Sequence, residues 1–348
     1  MEVLRAEPER RSVAPTPRAT IARASDPSVD DLGRSLAALV RTATRRARPH
    51  DLEARDPSFI DDLQPLMSLL YDRYFRCVTE LDAEVPKGPV LVVANHNGMT
   101  GTPDMFCHMT AFWRRYGTDR LGYGLMHDVP FTVPAAGAWL NAAGALAANH
   151  DNAARALGRG AAVLVFPGGD VDACKPFRDR YKVDFGARRG FIRLAIQQDV
   201  PIVPLVSVGG HESLYILTDG RGISRTLHLD RRFRSNVWPV GLALPWGLVF
   251  GIPYPHLPPP VKIHTRILAP IRLDLPRRAA DDARAVDAAY ARVVGAMQEA
   301  ANELRAAGRH GLLPKEEREH LRERIGAAAD RLPRPLAFAA RTFAEVFA

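Results

Sequence analysis

Long uninterrupted apolar runs are missing from this chain. Every stretch of about 20 residues rich in apolar side chains also carries helix breakers, so no conventional membrane-spanning helix is expected. Cysteine is scarce: Cys77, Cys107 and Cys174 stand far apart with no CxxC pair. That pattern argues against a disulfide framework and a zinc site, and it fits a reducing cytoplasm. The N-terminus is charged and dotted with proline, without the apolar stretch of a secretory signal. No GxSxG elbow is present, which removes the main support for a serine hydrolase. GxxxxGK[ST], a strand-linked GxGxxG and HExxH are absent too, and so are helix-turn-helix, zinc-finger and RNP patterns. His108, His127, His211 and His228 lack metal-ligand spacing and are expected to be structural or surface residues.

What is present is ordinary globular material with a basic balance. Of 348 residues 47% are hydrophobic and 25% charged, enough for a sizeable core in one or two domains. The net charge of +8 favours anionic partners, phosphates or membrane lipids, and the missing motifs leave nucleic acid outside the expectation. Residues 1–55, rich in Arg, Ala, Pro and Asp, are expected to be a mostly disordered basic segment apart from a short stripe of Leu32, Leu36, Leu39 and Val40. From Phe59 to Val78 apolar residues recur at helical spacing and predict an amphipathic helix or pair. Strand-like runs follow at Val90–Ala94, Ala145–Ala148, Ala161–Phe166 and Ile202–Val208, with helical patterns between them near 104–115, 134–142, 151–159 and 187–198. This alternation predicts an α/β domain over 56–277, with a mostly parallel central sheet flanked by helices. A C-terminal helical extension is expected over 278–348. Pro201 and Pro204 point to an edge or irregular position for the last of these strands. A further strand is expected at Val261–Leu268. Ser235 to Val261 holds no charged residue, and its many prolines forbid a straight helix.

In α/β sheets ligands bind where strands end at their carboxyl sides, and two such ends carry suggestive residues. At the first, "PVLVVANHNGMTGTPD" closes a buried strand on Asn95-His96, with Asp104 the nearest acid downstream. A carboxylate on one ring nitrogen fixes the tautomer and raises the basicity of the other, which suits deprotonation of an alcohol or thiol. The plain alternative is a turn histidine followed by a helix-starting aspartate. The second strand end is Phe166-Pro167-Gly168-Gly169, whose glycine amides suit an anion or a developing oxyanion. The most basic short stretch of the chain comes next, with Lys175, Arg178, Arg180, Lys182, Arg188, Arg189 and Arg193 against Asp179 and Asp184. It is fit to hold the phosphates of a nucleotide-like carrier or a lipid head group, or else it is a solvated loop and helix face.

Taken in order, Asn95-His96…Asp104, Phe166-Pro167-Gly168-Gly169 and Val200-Pro201-Ile202-Val203-Pro204 resemble the blocks of the glycerolipid (lysophospholipid) acyltransferase superfamily, the PlsC-like proteins. The likeness spans about 86–275 and is nearest the Pro-Gly-Gly branch, which includes diacylglycerol-acyltransferase-like proteins. The resemblance implies direct transfer of a fatty acyl group from acyl-CoA or acyl carrier protein to a lipid hydroxyl. His96 would be the general base and Asp104 its orienting acid, with no metal and no cofactor. Asn95, Phe166, Pro167, Gly168, Gly169, Lys175, Arg178, Arg188 and Arg189 would contact substrate. It further implies a peripheral or monotopic position on the inner face of the cell membrane, with the uncharged 235–261 segment at the interface or along an acyl groove. The chain departs from the common pattern in three ways. Its motif is His-x7-Asp instead of His-x4-Asp, Gly168 replaces the usual Glu, and no Arg follows at the matching place. The acceptor is therefore open between a lysophosphatidate-like lipid and an unphosphorylated alcohol such as diacylglycerol. A lipid-binding scaffold of the same fold and an acyl-thioester hydrolase are the competing readings.

Overall fold

A computed structural model of the chain describes residues 18–98, 103–228, 237–243, 247–251 and 258–330, with 333 and 337. Its centre is an eight-stranded sheet. The strands in chain order are β1 (Ala19–Thr20), β2 (Val78–Leu81), β3 (Val90–Ala94), β4 (Gly122–Met126), β5 (Ala145–Ala147), β6 (Ala162–Val165), β7 (Ile202–Val208) and, after a second small sheet, β11 (His264–Ile267). Their spatial order is β1-β2-β11-β7-β3-β6-β4-β5. β7, β3, β6, β4 and β5 run parallel, while β11 lies antiparallel to β7 and parallel to β2. The expected α/β class with a mostly parallel sheet is what forms. β3 and β7 are buried at every position, as strands covered on both faces must be.

Helices cover both faces: α1 (Val29–Ala43), α2 (Pro57–Leu69), α3 (Pro103–Tyr116), α4 (Ala136–Ala142), α5 (His150–Gly158), α6 (Gly169–Ala173), α7 (Gly190–Gln198), α8 (Arg221–Thr226), α9 (Ala283–Ala307) and α10 (Lys315–Ala329). The long α9 is part of the main core and no appendage, since Val286, Val293, Met297 and Leu304 are buried with Ile192, Leu194 and Val206. Among the described residues, no helix is long and apolar enough to cross a membrane. Of the C-terminal helical extension expected over 278–348, the part beyond 330 lies outside the described residues apart from 333 and 337.

Four expectations change. Residues 18–55 are folded. Ser28 caps α1 in a reciprocal capping box with Asp31. The Ser35 hydroxyl donates to the Asp62 carbonyl (2.6 Å), and the Trp139 indole donates to the Leu39 carbonyl (2.8 Å), tying α1 to α2 and α4. The charge-rich composition hid a helix that buries only a narrow stripe around Ala38. Second, β7 is a central strand despite its prolines. Pro204 lies between the pair Leu205↔Ile267 and the isolated bridge Ile202↔Ile271, where the partner chain steps out of the ladder. No N–H is needed there, and its carbonyl still accepts from Leu268 (2.9 Å). Third, Cys77 and Cys107 form a disulfide that joins the approach to β2 with α3. Their separation of 30 residues gives no hint of it; packing brings the two Cα atoms within 6.6 Å. The cysteine argument for a reducing compartment falls with it. Fourth, β2 and β4 were not anticipated: β2 starts at the end of the helical pattern, and Gly122-Tyr-Gly-Leu-Met lacks β-branched residues.

Candidate active site

β3, β6 and β7 are neighbours and parallel, so their carboxyl ends open at one place. β3 delivers Asn95-His96-Asn97-Gly98. The Asn95 amide clamps β3 to β7, with Nδ2 donating to the Ser207 carbonyl (3.0 Å) and Oδ1 accepting the Ser207 N–H (2.9 Å). Buried and spent at both ends on Ser207, Asn95 holds the frame.

His96 is fixed from three sides. Its backbone N–H donates to Asp172 Oδ2 (2.5 Å), and its carbonyl accepts from His211 Nε2 (3.2 Å). Its Nδ1 lies 3.0 Å from Asp104 Oδ2. A carboxylate can only accept, so Nδ1 carries the proton and Nε2 keeps the free lone pair. Asp104 sits at the first turn of α3 and is wholly buried. It is held as an acceptor by the N–H groups of Asn97 (2.7 Å) and Met105 (2.9 Å). Burial pulls the His96 pKa down, but the charge and hydrogen bond of Asp104, aided by Asp172, outweigh it and leave the pKa raised. The ring stacks on Phe166, centroids 4.1 Å apart and 14° from parallel. The turn itself is backbone-tight. Gly98 adopts φ +101°, and a Cβ on Gly210 would stand 2.0 Å from the Asn97 carbonyl oxygen.

The Phe166–Gly169 turn at the end of β6 supports this loop more than it offers donors. The Gly169 N–H is already used on the Phe166 carbonyl (3.0 Å), so it is no free oxyanion donor. Close behind Gly168 stands Asp172, where any Cβ would collide with it. Asp172 is buried and pairs with the buried ammonium of Lys175, whose Nζ also donates to the Lys182 carbonyl (2.8 Å). Lys175 thus faces inward. Arg188 binds Asp170 (3.0 Å) and the Pro167 carbonyl (3.1 Å). Arg189 leaves the site altogether: it pairs with Asp287 on α9 (2.7 Å) and lies over the Tyr290 ring. Arg178 stays exposed beside Asp179. Much of the basic stretch therefore neutralises itself on nearby acids. What it encloses is an open polar cleft of about 550 Å³, walled by Gly168, Asp172, Lys175, Arg178, Arg188 and Arg221 among others.

On the other side of Phe166 a narrow apolar cavity of about 80 Å³ runs between α3 and β4, lined by Met105, Met109, Phe112, Gly124, Leu125 and Leu140 among others. His108 and Phe166 both line it, their rings 6.2 Å apart and nearly parallel. His108 is buried, and neither ring nitrogen has a hydrogen-bond partner among the described residues. Burial holds its pKa down at about 4, so the ring is neutral. His211 is likewise pushed well below the ordinary histidine range, first by burial and then by Lys175.

The sequence pair His96 and Asp104 is brought together; residues 99–102 between them lie outside the described residues. Asp172 was not singled out, and His108 and His211 were expected to be structural or surface residues. For His108 one signal existed, its i+4 spacing from Asp104 on a helix face. For Asp172 and His211 nothing local announced that they would meet the His96 backbone. Among the described residues no group of His, Cys, Asp and Glu is arranged to hold a metal ion.

Comparison with known proteins adds the following. Residues 76–208 match the family model described as Acyltransferase. Uncharacterized protein Rv0502 of Mycobacterium tuberculosis is 31% identical over 207 residues, which cover 57% of this chain and 58% of that protein. Uncharacterized protein ML2427 of Mycobacterium leprae is 28% identical over 207 residues, covering 57% and 56%. The match thus spans less than two thirds of the length of these relatives. Among solved structures, the 1-acyl-sn-glycerophosphate (LPA) acyltransferase PlsC from Thermotoga maritima aligns with 74% of this chain and 97% of its own, at 17% identity and a TM-score of 0.37.

Proposed function

We propose that this chain, whose residues 76–208 match the family model described as Acyltransferase, moves a fatty acyl group from a thioester to a lipid hydroxyl. The observation that carries the reading is the Nδ1–Asp104 contact of His96 beside a narrow apolar cavity and a polar cleft. His96 Nε2 takes the proton of the acceptor hydroxyl while Asp104 stabilises the imidazolium that forms. The acceptor oxygen bonds to the thioester carbonyl carbon. The carbon–sulfur bond then breaks, and the thiolate leaves with the proton returned by His96. No covalent acyl-enzyme is formed. The apolar cavity takes the part of the acyl chain nearest the thioester, and the acceptor head group or the carrier occupies the cleft.

With the Gly169 N–H spent on Phe166, His108 offers a donor of its own. A neutral imidazole with unused nitrogens at the cavity wall donates an N–H to the carbonyl oxygen as it gains negative charge. The donor is acyl-CoA or acyl carrier protein, the acceptor a glycerolipid-like alcohol, and the position is peripheral on the inner face of the cell membrane.

The test is to incubate purified protein with radiolabelled palmitoyl-CoA, with and without lysophosphatidate, diacylglycerol or a long-chain alcohol, and to repeat it with His96→Ala. Labelled ester that needs an acceptor and vanishes in the variant is expected. Acceptor-independent fatty acid would make the protein a thioesterase. Turnover that survives His96→Ala overturns the mechanism.

A further inference from the structure

Next to the cleft lies a second, smaller polar pocket of about 230 Å³. The two share Arg178, Asp179 and Lys182 as a common wall. The rest of the smaller pocket is Arg180 and Tyr181 of the same turn, with Gln298, Asn302 and Arg305 on α9. Its walls are pinned. Gln298 reaches from α9 to the turn, where its Oε1 accepts the Val183 N–H (2.8 Å) and its Nε2 donates to the Tyr181 carbonyl (3.0 Å) and to Asn302 Oδ1 (3.0 Å). The Tyr181 hydroxyl meets Nε2 of the buried His310 at 2.8 Å. Just upstream, Phe177 packs its ring 4.2 Å from that of Tyr215 on β8 (Tyr215–Thr218). That strand is the edge of a small antiparallel sheet completed by β9 (Val240–Ala243) and β10 (Gly247–Phe250).

The charges of the two pockets are balanced differently. Around the cleft every basic side chain meets an acid: Lys175 meets Asp172, Lys182 Asp184 (3.0 Å), Arg188 Asp170 (3.0 Å) and Arg221 Asp219 (2.8 Å), with Arg178 3.6 Å from Asp179. In the smaller pocket Arg180 and Arg305 have no carboxylate within ion-pair distance among the described residues. Both guanidiniums lie over the Tyr181 ring, 4.5 and 5.2 Å from its centroid. Arg180 donates Nη1 to the Phe177 carbonyl (2.9 Å), but its Nε is buried without a hydrogen-bond partner. Glu212 feels the charge of Arg180, yet it spends Oε2 on the Leu312 N–H (3.1 Å), and burial raises its pKa. It is a poor counter-ion. Two guanidiniums gathered at one ring without counter-charge repel each other, and a buried N–H without an acceptor is costly. One ligand removes both deficits: an anion with several acceptor oxygens. Two such cations call for about two negative charges, which a phosphate monoester brings and a carboxylate does not. The planar fork of arginine also matches phosphate oxygens.

We propose that this pocket is a phosphate-binding subsite, separate from the catalytic cleft and adjoining it across the turn 178–182, in which Arg180 and Arg305 hold a phosphate monoester. The site stands on the pocket alone. Its phosphate comes either from the 3′-phosphate of a coenzyme A thioester or from an independent phosphate compound. The first source rests on the acyltransferase reading given above.

Calorimetric titration of the full chain with inorganic phosphate, coenzyme A and dephospho-coenzyme A, at low and constant ionic strength, tests it. The wild type is expected to bind inorganic phosphate, and Arg180→Gln/Arg305→Gln to lose affinity by about tenfold or more, the scale of lost charge-assisted hydrogen bonds. Arg305→Gln alone touches an exposed side chain, so it should keep the wild-type melting temperature and still lose affinity several-fold. It carries the test if the double variant fails to fold. Arg189→Gln removes the same charge at a paired position and should bind phosphate as the wild type does. No phosphate binding by the wild type, or equal binding by wild type and Arg305→Gln, overturns the proposal. A loss in Arg189→Gln as large as in Arg305→Gln overturns it too, since net charge alone then accounts for the binding. Coenzyme A that binds more tightly than dephospho-coenzyme A, with the difference gone in the arginine variants, identifies the donor as the source. If those two bind alike and neither displaces inorganic phosphate, the ligand of the site is an independent phosphate compound. A chain that binds phosphate through this pair but transfers no acyl group defeats the acyltransferase reading alone. An active one whose affinities for phosphate and coenzyme A ignore both substitutions defeats the subsite alone.

Discussion

Two segments leave neighbouring strands of one sheet, and they spend their polar groups in opposite ways. The turn after β3 is nearly uncharged, yet each polar handle of His96 but one is engaged: N–H on Asp172, carbonyl on His211, Nδ1 on Asp104. The stretch from Lys175 to Arg193 is the most basic in the chain, yet Lys175, Lys182, Arg188 and Arg189 are paired with Asp172, Asp184, Asp170 and Asp287. Charge density announces a binding site less well than an engaged framework with one polar group left over. In the first segment the group left over is His96 Nε2; across the cavity it is the His108 ring.

The contrast breaks most sharply at Asp104. With Asn in its place the ring loses the charge that fixes the tautomer, and turnover should fall by about 100-fold or more. The pH profile gives a second readout. A general base works when deprotonated, so kcat/KM in the wild type should rise with pH through an inflection above the ordinary 6.5 of histidine, because Asp104 raises that pKa. In Asp104→Asn burial acts with less opposition, and the inflection should move to lower pH. An unchanged rate and profile would mean that another acid, Asp172 first among those near the ring, does the orienting.

His108 tests whether the leftover ring is chemical. His108→Phe should lower kcat by about 100-fold, the scale of one lost oxyanion donor, with KM little changed. His108→Gln, which restores an N–H, should recover part of the loss. If the two variants are equal, or if KM alone moves, the ring only packs the cavity wall. Filling the cavity is a milder challenge. Gly124 lines it and has open space where a Cβ would go, so Gly124→Val should fold and shift preference toward shorter acyl chains.

The same contrast explains what was legible beforehand. Strands β3 and β7 end in the structure where their apolar runs end in the sequence, because a strand buried on both faces has to be a continuous apolar run. His96 and Asp104 were legible because both lie within one strand–turn–helix. Asp172 and His211 reach the same turn from 76 and 115 residues away, and only the order β7-β3-β6 brings them there. α1 was legible only as the short stripe Leu32, Leu36, Leu39 and Val40, of which Leu36 and Val40 turn out exposed. Its buried stripe is Ser35, Ala38 and Thr42, residues that no hydrophobicity pattern flags.

The smallest effect is expected where the sequence looked richest. Arg189 belongs to the basic stretch, but its guanidinium is committed to Asp287 and to the face of Tyr290, on the far helix α9. Arg189→Ala should therefore leave kcat and KM within about twofold and cost at most about 1 kcal/mol of stability, the worth of an exposed ion pair with a cation–π contact. Arg178 is the internal control, since it is exposed, borders the cleft and has only a long contact to Asp179 (3.6 Å). Arg178→Ala should raise KM for a phosphorylated donor or acceptor several-fold and leave kcat alone, the pattern of lost ground-state binding. If Arg189→Ala proves the more damaging of the two, position in the sequence predicted function better than the pairing of charges, and the distinction between the two segments fails.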